Sequence, residues 1–486
     1  MFKKITYYSI GVACLSLTIW ACAPKVTQKT ASKNVPANYT SLQDTAASAN
    51  GSTSTDTTNT AYTDWKKYFT DPNLVALIDT ALSNNQEFNI MLYEIKVAQA
   101  EVRARKGAIF PRVDVGVGAG VEKAGKYTRI GAVDNSLDIQ PGKPIPQVLP
   151  NYGFGANLSW EVDIWRKLRN AKQAAVYRYL ATVQGRNFMR TSIVAEIAST
   201  YYELLALDNQ LSILKQNISI QTNALKTVRM EKTAAKVTEL AVRRFEAQVY
   251  HTQSMQFLIL QKIVEAENKL NFLIGSFPKH IKRNSDSFID IKQDTIYAGI
   301  PSQLLQRRWD IQKAESQLKA SKLDVKVAKA NFYPTFRITG GLGYEAFNPK
   351  LIISSPESMI FSLAGTLVMP LINRNEIKAM YLGANAKQIQ AAYNYERTIL
   401  NAYVEVANQL AKINNLQNSF RLQSLQVEAL NESVTIAGNL FLSARADYME
   451  VLLTQRDALE SKMDLVETKK EQLKASVYLY KALGGG

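Results

Sequence analysis

Few residues in this chain are of the types that carry out chemistry. Its 486 residues include 2 His and 2 Cys. His251 and His280 stand apart, and neither has a nucleophile elbow, a metal-ligand cluster or a cofactor loop around it. A zinc module, an iron–sulfur cluster or a disulfide scaffold each needs more ligands or partners than this. The Gly-rich stretches 111–150 and 334–370 could be mistaken for phosphate loops. They lack the GxGxxG or Walker spacing and fall within strand patterns. The residues therefore point away from an enzyme and imply no catalytic residue, no cofactor and no metal.

The one thiol in a chemically suggestive setting is Cys22, in Ile19-Trp-Ala-Cys22. A basic start and an apolar run to Ala21 precede it, and the run is short for a spanning helix. The segment resembles a bacterial lipoprotein signal: residues 1–21 would be removed and Cys22 would carry the lipid. Cys14 leaves with the signal, so no disulfide can form in the mature chain. Lys3 and Lys4 leave too, taking the net charge from +16 to +14. The Ser-, Thr-, Ala- and Asn-rich remainder of 22–64 reads as a flexible tether or as a loop packed along the body.

At 46% hydrophobic and 21% charged, the chain is neither disordered nor a multi-span helical membrane protein. Its 58 Lys and Arg against 42 Asp and Glu permit a nucleic-acid or anionic-membrane partner. The basic residues are dispersed among acids with no recognition module, so no nucleic acid is expected. The 14 prolines are more telling, because none occurs in 151–277 or 371–486. A helix interior excludes proline, so two very long helical stretches fit there.

The elements that must position any site occur twice. Lys106-Gly-Ala-Ile-Phe-Pro111 answers Lys329-Ala-Asn-Phe-Tyr-Pro334 at an offset of 223. Asp163-Ile-Trp-Arg166 answers Leu371-Ile-Asn-Arg374 at 208, and Glu196 answers Glu405 at 209. The first copy carries an insertion at about 134–150. Each copy reads helix, strand, loop, strand, very long helix, turn, helix. The helices are expected at roughly 73–107, 166–230 and 237–275, then 302–331, 374–437 and 446–482. In each strand apolar residues alternate with polar ones or glycine, as in Val113, Val115, Val117 and Val121 against Asp114, Gly116, Gly118 and Glu122. Segments of about ten residues with this period match transmembrane β-strands or a half-buried soluble sheet. Leu204, Leu211, Ile218 and Leu225 repeat at seven, as do Ile413, Phe420, Val427 and Val434, the rhythm of helices that wrap around partners. Four strands cannot close a barrel alone, and open edges are costly in lipid, so the strands must be pooled between chains. Closure does not choose between two chains and three.

Several motifs, in order, resemble TolC-like outer-membrane efflux proteins, in particular NodT-type lipoprotein channels partnered with RND pumps. They are Trp65-Lys-Lys-Tyr-Phe-Thr-Asp-Pro72, Leu158-Ser-Trp-Glu-Val-Asp-Ile-Trp-Arg-Lys167 and the run 300–315 with Arg307-Arg308-Trp309. The family usually has Pro where Trp309 stands. The resemblance implies a mainly α fold with transmembrane β-strands: repeats at 65–299 and 300–486, and a homotrimer with a 12-stranded outer-membrane barrel above a periplasmic helical tunnel. It implies a passive conduit for drugs or other small molecules, docked on a periplasmic adaptor (membrane fusion) protein and an inner-membrane RND pump, with outer-membrane lipid around the barrel. Type I protein secretion or metal efflux could use the same architecture. It also places a periplasmic gate after the helical turn, at Arg445, Asp447 and Glu450, with Glu239 from the first copy. Ser443 replaces the family's turn glycine, and Leu453 stands where a second acid is common. Solvated charges at helix ends would look the same.

Overall fold

A computed structural model of the chain describes residues 23–39, 60–291, 297–370, 374–443 and 445–485. The signal segment 1–21, Cys22 and residues 40–59 of the linker lie outside the described residues. In chain order the elements are α1 (Trp65–Tyr68), α2 (Pro72–Asn84), α3 (Gln86–Gly107), β1 (Arg112–Glu122), α4 (Arg129–Asp134), β2 (Asp138–Gln140), β3 (Lys143–Pro144), β4 (Leu149–Val162), α5 (Lys167–Thr233), α6 (Glu239–Leu273), α7 (Leu304–Arg307), α8 (Trp309–Ala330), β5 (Thr335–Ala346), β6 (Met359–Val368), α9 (Asn375–Leu442) and α10 (Tyr448–Ala482). The long helices α5 and α9 have 67 and 68 residues, on the order of 100 Å each at 1.5 Å per residue. The chain divides into two compact units.

The first unit comprises Lys96–Leu180 and Ser316–Ala392 with the described residues up to Thr30. It contains an antiparallel four-stranded sheet in the order β1-β4-β5-β6. The register stacks like on like. Val117, Phe154, Tyr344 and Met359 form one row across the sheet; Val115, Ala156, Leu342 and Phe361 form the next on the same face. The opposite face carries Gly116, Gly155, Gly343 and Ile360 in one row and Asp114, Asn157, Gly341 and Ser362 in another. A Cβ on Gly155 would lie 2.8 Å from the Leu342 carbonyl oxygen, and one on Gly343 would lie 2.5 Å from that of Phe154, so the two backbones meet only as glycines. In β6 Gly365 interrupts the apolar face, and a Cβ there would lie 3.3 Å from the Phe336 ring on the neighbouring strand. The apolar face is bare, with Val117 86% and Leu363 81% exposed.

All four strand–helix junctions lie at one end of this sheet. At the β4–α5 junction Asp163 accepts from the Leu168 and Arg169 amides at 3.0 and 2.9 Å and from the Arg169 guanidinium at 3.1 Å. It thereby satisfies the first turn of a very long helix and complements its dipole. Trp165 stacks on Tyr333 and donates to the Pro334 carbonyl at 2.8 Å. The insertion forms the small β2–β3 sheet, which its four prolines had concealed, and α4 leads into it.

The second unit is helical. Its core collects Trp65, Leu74 and Ile78 from the entry helices with Ile197, Leu204 and Leu214 of α5, Leu270 of α6, and Val477 and Tyr480 of α10. On the α5 seam Leu204 and Leu225 are buried while Leu211 and Ile218 are half-buried, and on α9 the matching Ile413, Phe420, Val427 and Val434 are all half-buried.

Two helices expected to be continuous, 73–107 and 302–331, are each broken at a buried polar residue. Asn85 follows α2 and Arg308 follows α7. The two are related by the offset of 223, and each reaches the end of the last helix in its own repeat. The Asn85 amide donates to the Leu273 carbonyl at 2.8 Å; the Arg308 guanidinium donates to that of Ala482 at 3.2 Å. Two residues on, Gly275 (φ 68°) and Gly484 (φ 88°) end these helices in left-handed conformation. A Cβ at either would approach the Asn84 or Arg307 carbonyl oxygen, at 2.6 and 3.0 Å. Arg308 also holds Asp310 and Glu405, each at 2.6 Å. Trp309 opens α8 at the first helical position, where proline is favoured for its fixed φ but any residue is allowed. The departure from the family's Pro is therefore harmless.

The linker differs from a flexible tether wherever it is described. In the first unit Ala23 and Val26 pack on Val325, Phe332 and Tyr381. The Gln388 side chain exchanges hydrogen bonds with the Lys29 backbone at 3.0 and 2.7 Å. In the second unit Glu396 accepts from the Ser32 amide at 3.0 Å, and Tyr39 stacks on Tyr403. Side chains of α9 supply the bonds that a segment without secondary structure otherwise lacks.

Arg308→Ala should cost about 2 kcal/mol, since it leaves the half-buried Asp310 carboxylate and the Ala482 carbonyl without their partner. Asn85→Ala, which strands neutral groups only, should cost about 1–2 kcal/mol. Denaturant midpoints of the purified variants, followed by helical circular dichroism, measure both.

Candidate functional site

The charges singled out after the helical turns are held by a backbone closure that occurs twice. Between α5 and α6, the Lys236 amide donates to the Glu231 carbonyl at 2.9 Å. Between α9 and α10, the Arg445 amide donates to the Leu440 carbonyl at 2.9 Å. Both are the six-to-one bond that ends a helix in a Schellman turn. Thr238 and Asp447 then occupy equivalent N-cap positions. The Ala241 amide reaches the Thr238 carbonyl, and the Glu450 amide that of Asp447, both at 3.1 Å. Each pair is related by 209 residues. Ser443 serves in place of a turn glycine, its hydroxyl donating to the Asn439 carbonyl at 2.7 Å.

This equivalence identifies Lys236 as the first-copy counterpart of Arg445, a residue the sequence reading passed over. The offset of 209 carried through the turn marks it in the sequence, whereas Glu239 stands out there only as an acid. Both basic residues are exposed. The acids do not correspond: Asp447 answers Thr238, Glu450 answers Ala241, and Glu239 answers Tyr448.

Arg445, Asp447 and Glu450 are brought together within one turn. All three are exposed, and none makes an ion pair among the described residues. Glu239 stands on the other turn, bound locally to Lys232 and, at 2.9 Å, to Arg243. Arg243 also pairs with Glu246 at 2.9 Å, and Glu246 with Arg229 at 3.0 Å. The Lys232 hydrogen bond, with Arg243 beside it, holds the Glu239 carboxyl below the usual carboxylate range. Beneath the turns, Leu225, Val228, Val242 and Phe245 pack with Leu452, and Phe441 and Tyr448 lie against them. The Arg244 guanidinium lies 3.2 Å from the Met449 sulfur. Leu453, where a second acid was sought, is 42% exposed. The two turns are thus seated on one apolar cluster, with fixed charges on the water side.

Neither histidine joins this site. His251 is exposed on α6. His280 lies 2.9 Å from Glu267, a carboxylate also held by Arg283, which pairs in turn with Asp208. That network fastens the segment between the repeats to α5 and α6. Cys22 lies outside the described residues. Among those described, no group of three or more His, Cys, Asp or Glu is placed to hold a metal.

A family model described as outer membrane efflux protein matches residues 77–276 and again 300–485. The chain is 26% identical over 422 residues to the solvent efflux pump outer membrane protein SrpC of Pseudomonas putida, covering 87% of each. It is 25% identical over 425 residues to the cation efflux system protein CusC of Escherichia coli K12, covering 87% of this chain and 88% of that one. Its fold matches the crystal structure of a membrane protein from Pseudomonas aeruginosa with a TM-score of 0.82 at 24% identity, over 95% of this chain and all of that one.

Because the Glu239 pKa is lowered on folding, its pairing stabilises the first turn above the ordinary carboxylate value and is lost as pH falls through the lowered one. Amide exchange in residues 231–239, corrected for intrinsic rates, should stay protected down through the usual carboxylate range and rise only below it. Lys232→Gln should move that loss to higher pH.

Proposed function

This chain belongs to the outer membrane efflux protein family, and on that premise we propose that three copies assemble into one outer-membrane barrel and one periplasmic helical tunnel. The observation that carries this reading is the open sheet. β1 and β6 are its edges, and their apolar faces are bare. Unpaired backbone groups cannot be left in hydrocarbon, so β1 of one copy meets β6 of the next, and three copies give 12 strands. The helices support the same assembly. Tyr250, Phe257 and Val264 of α6, seven apart, are 62%, 70% and 50% exposed. On α9, Tyr393 and Leu400 are 59% and 64% exposed. Each is an apolar seam awaiting a neighbour.

The repeats are assigned to 65–299 and 300–486, after a removed signal at 1–21 and a linker at 22–64 acylated on Cys22. The channel performs no chemistry. It receives cargo from a periplasmic adaptor and an inner-membrane pump, which supplies the energy. Relatives are named for solvent, pyoverdine and cation efflux, and such a range supports a conduit that leaves selection to its pump. We assign the cargo to drugs or other small molecules. Arg445, Asp447 and Glu450 form the constriction, with Lys236 and Glu239 flanking it; identical charges gathered at a threefold axis attract counter-ions and resist closure.

Outer-membrane fractions should contain an SDS-resistant trimer, and a soluble monomer from native expression would defeat the assembly. In planar bilayers, Arg445→Ala with Glu450→Gln should raise single-channel conductance, whereas Glu239→Gln should change it little; an unchanged double variant rejects the gate assignment. Palmitate labelling should vanish in Cys22→Ala, and its persistence would refute acylation there.

A further inference from the structure

The net charge of the chain is not spread along it. The strand–helix junctions, residues 100–111, 163–174, 322–334 and 374–382, hold twelve Lys and Arg against four Asp and Glu. That excess is half of the formal +16, carried by 46 residues. The helical turns and their flanks, residues 226–246 and 432–457, hold eight against seven. The register brings all four junctions to the same end of the sheet.

Three of the four acids are already paired: Glu101 with Arg105, Asp163 with Arg169, and Asp324 with Arg178. Arg103, Lys106, Arg166, Lys326, Lys329 and Lys378 are exposed and make no ion pair among the described residues. The placement repeats within the chain. Arg103 answers Lys326, and Lys106 answers Lys329, both at the offset of 223. In each case the two lie three apart on one helix face, in the last turns before the sheet. Above this collar lies the bare apolar sheet face, bounded at its base by the Trp165–Tyr333 stack. An apolar band, an aromatic edge and a cationic fringe is the sequence of layers from acyl chain to headgroup.

Resting on the outer-membrane reading above, we propose that this collar binds anionic phospholipid headgroups of the leaflet on the helix side of the barrel. Arg103, Lys106, Lys326 and Lys329 contact lipid phosphates, and the barrel gathers an annulus enriched in phosphatidylglycerol-type lipid. The strap supports this placement: Ala23, the chain neighbour of Cys22, packs on Phe332 at the foot of β5.

The full-length mature protein is reconstituted in phosphatidylcholine vesicles. Equal fractions of either dibrominated phosphatidylglycerol or dibrominated phosphatidylcholine are included, and quenching of tryptophan fluorescence is read. Trp160 and Trp165 are the tryptophans within acyl reach. In dilute salt the anionic lipid should associate at least about threefold more strongly than the zwitterionic one, and the preference should fall to about one in about 0.5 M salt. The variant Arg103→Gln, Lys106→Gln, Lys326→Gln, Lys329→Gln should show about onefold preference in dilute salt. Equal quenching by both lipids in the wild type, or a preference unmoved by salt or by the variant, overturns the inference and leaves the channel reading intact. No quenching by either lipid overturns the membrane-spanning reading itself.

Discussion

Backbone groups at a sheet edge cannot be left unpaired in hydrocarbon, and most of this structure follows from that. The chain contributes four strands and leaves both edges open. In the proposed assembly, completion by other copies requires every copy to present the same apolar face outward and the same glycine and polar face inward. The rows running from Val117 to Met359 and from Gly116 to Gly343 are that demand written in side chains. The junctions must then launch long helices from one end of the sheet without frayed first turns. At β4–α5, Asp163 does this with two amides and one guanidinium.

The duplication extends from topology to individual bonds. Asn85 and Arg308, Gly275 and Gly484, and the amides of Lys236 and Arg445 occupy corresponding places and make corresponding contacts. Chemistry diverges where geometry does not. A neutral amide closes the first repeat, while a buried guanidinium with two carboxylates closes the second. The acids at the turns have diverged further, and only the basic position is shared.

Much of this was legible in the sequence, for physical reasons that can be named. Proline gaps marked the long helices because proline cannot sit in them. Strict alternation marked the strands because each face meets one environment. The breaks at Asn85 and Arg308 were not legible, since their cause is a carbonyl nearly two hundred residues away in sequence. Nor was the order of residues 23–39, whose bonds come from Gln388, Glu396 and Asn385 rather than from its own composition. At the turns, the sequence located Arg445, Asp447 and Glu450 but did not reveal that Glu239 is neutralised by Lys232 and Arg243.

The close approach of Gly155 and Gly343 bears on what the conduit can discriminate. Along that row at Gly116, Gly155 and Gly343, and at Gly118 and Gly153 in the next, this face carries no side chains; Ile360 completes the first row and Glu345 lies in the second. At the glycines the polar atoms are peptide groups already engaged in the ladder. In the proposed channel, a passing molecule meets charge and apolar surface at this level only through Glu345 and Ile360, beside bare backbone. Discrimination at this level would then rest on pore width and on those two side chains, which makes Glu345 and Ile360 the places in this stretch where a change of cargo would be felt.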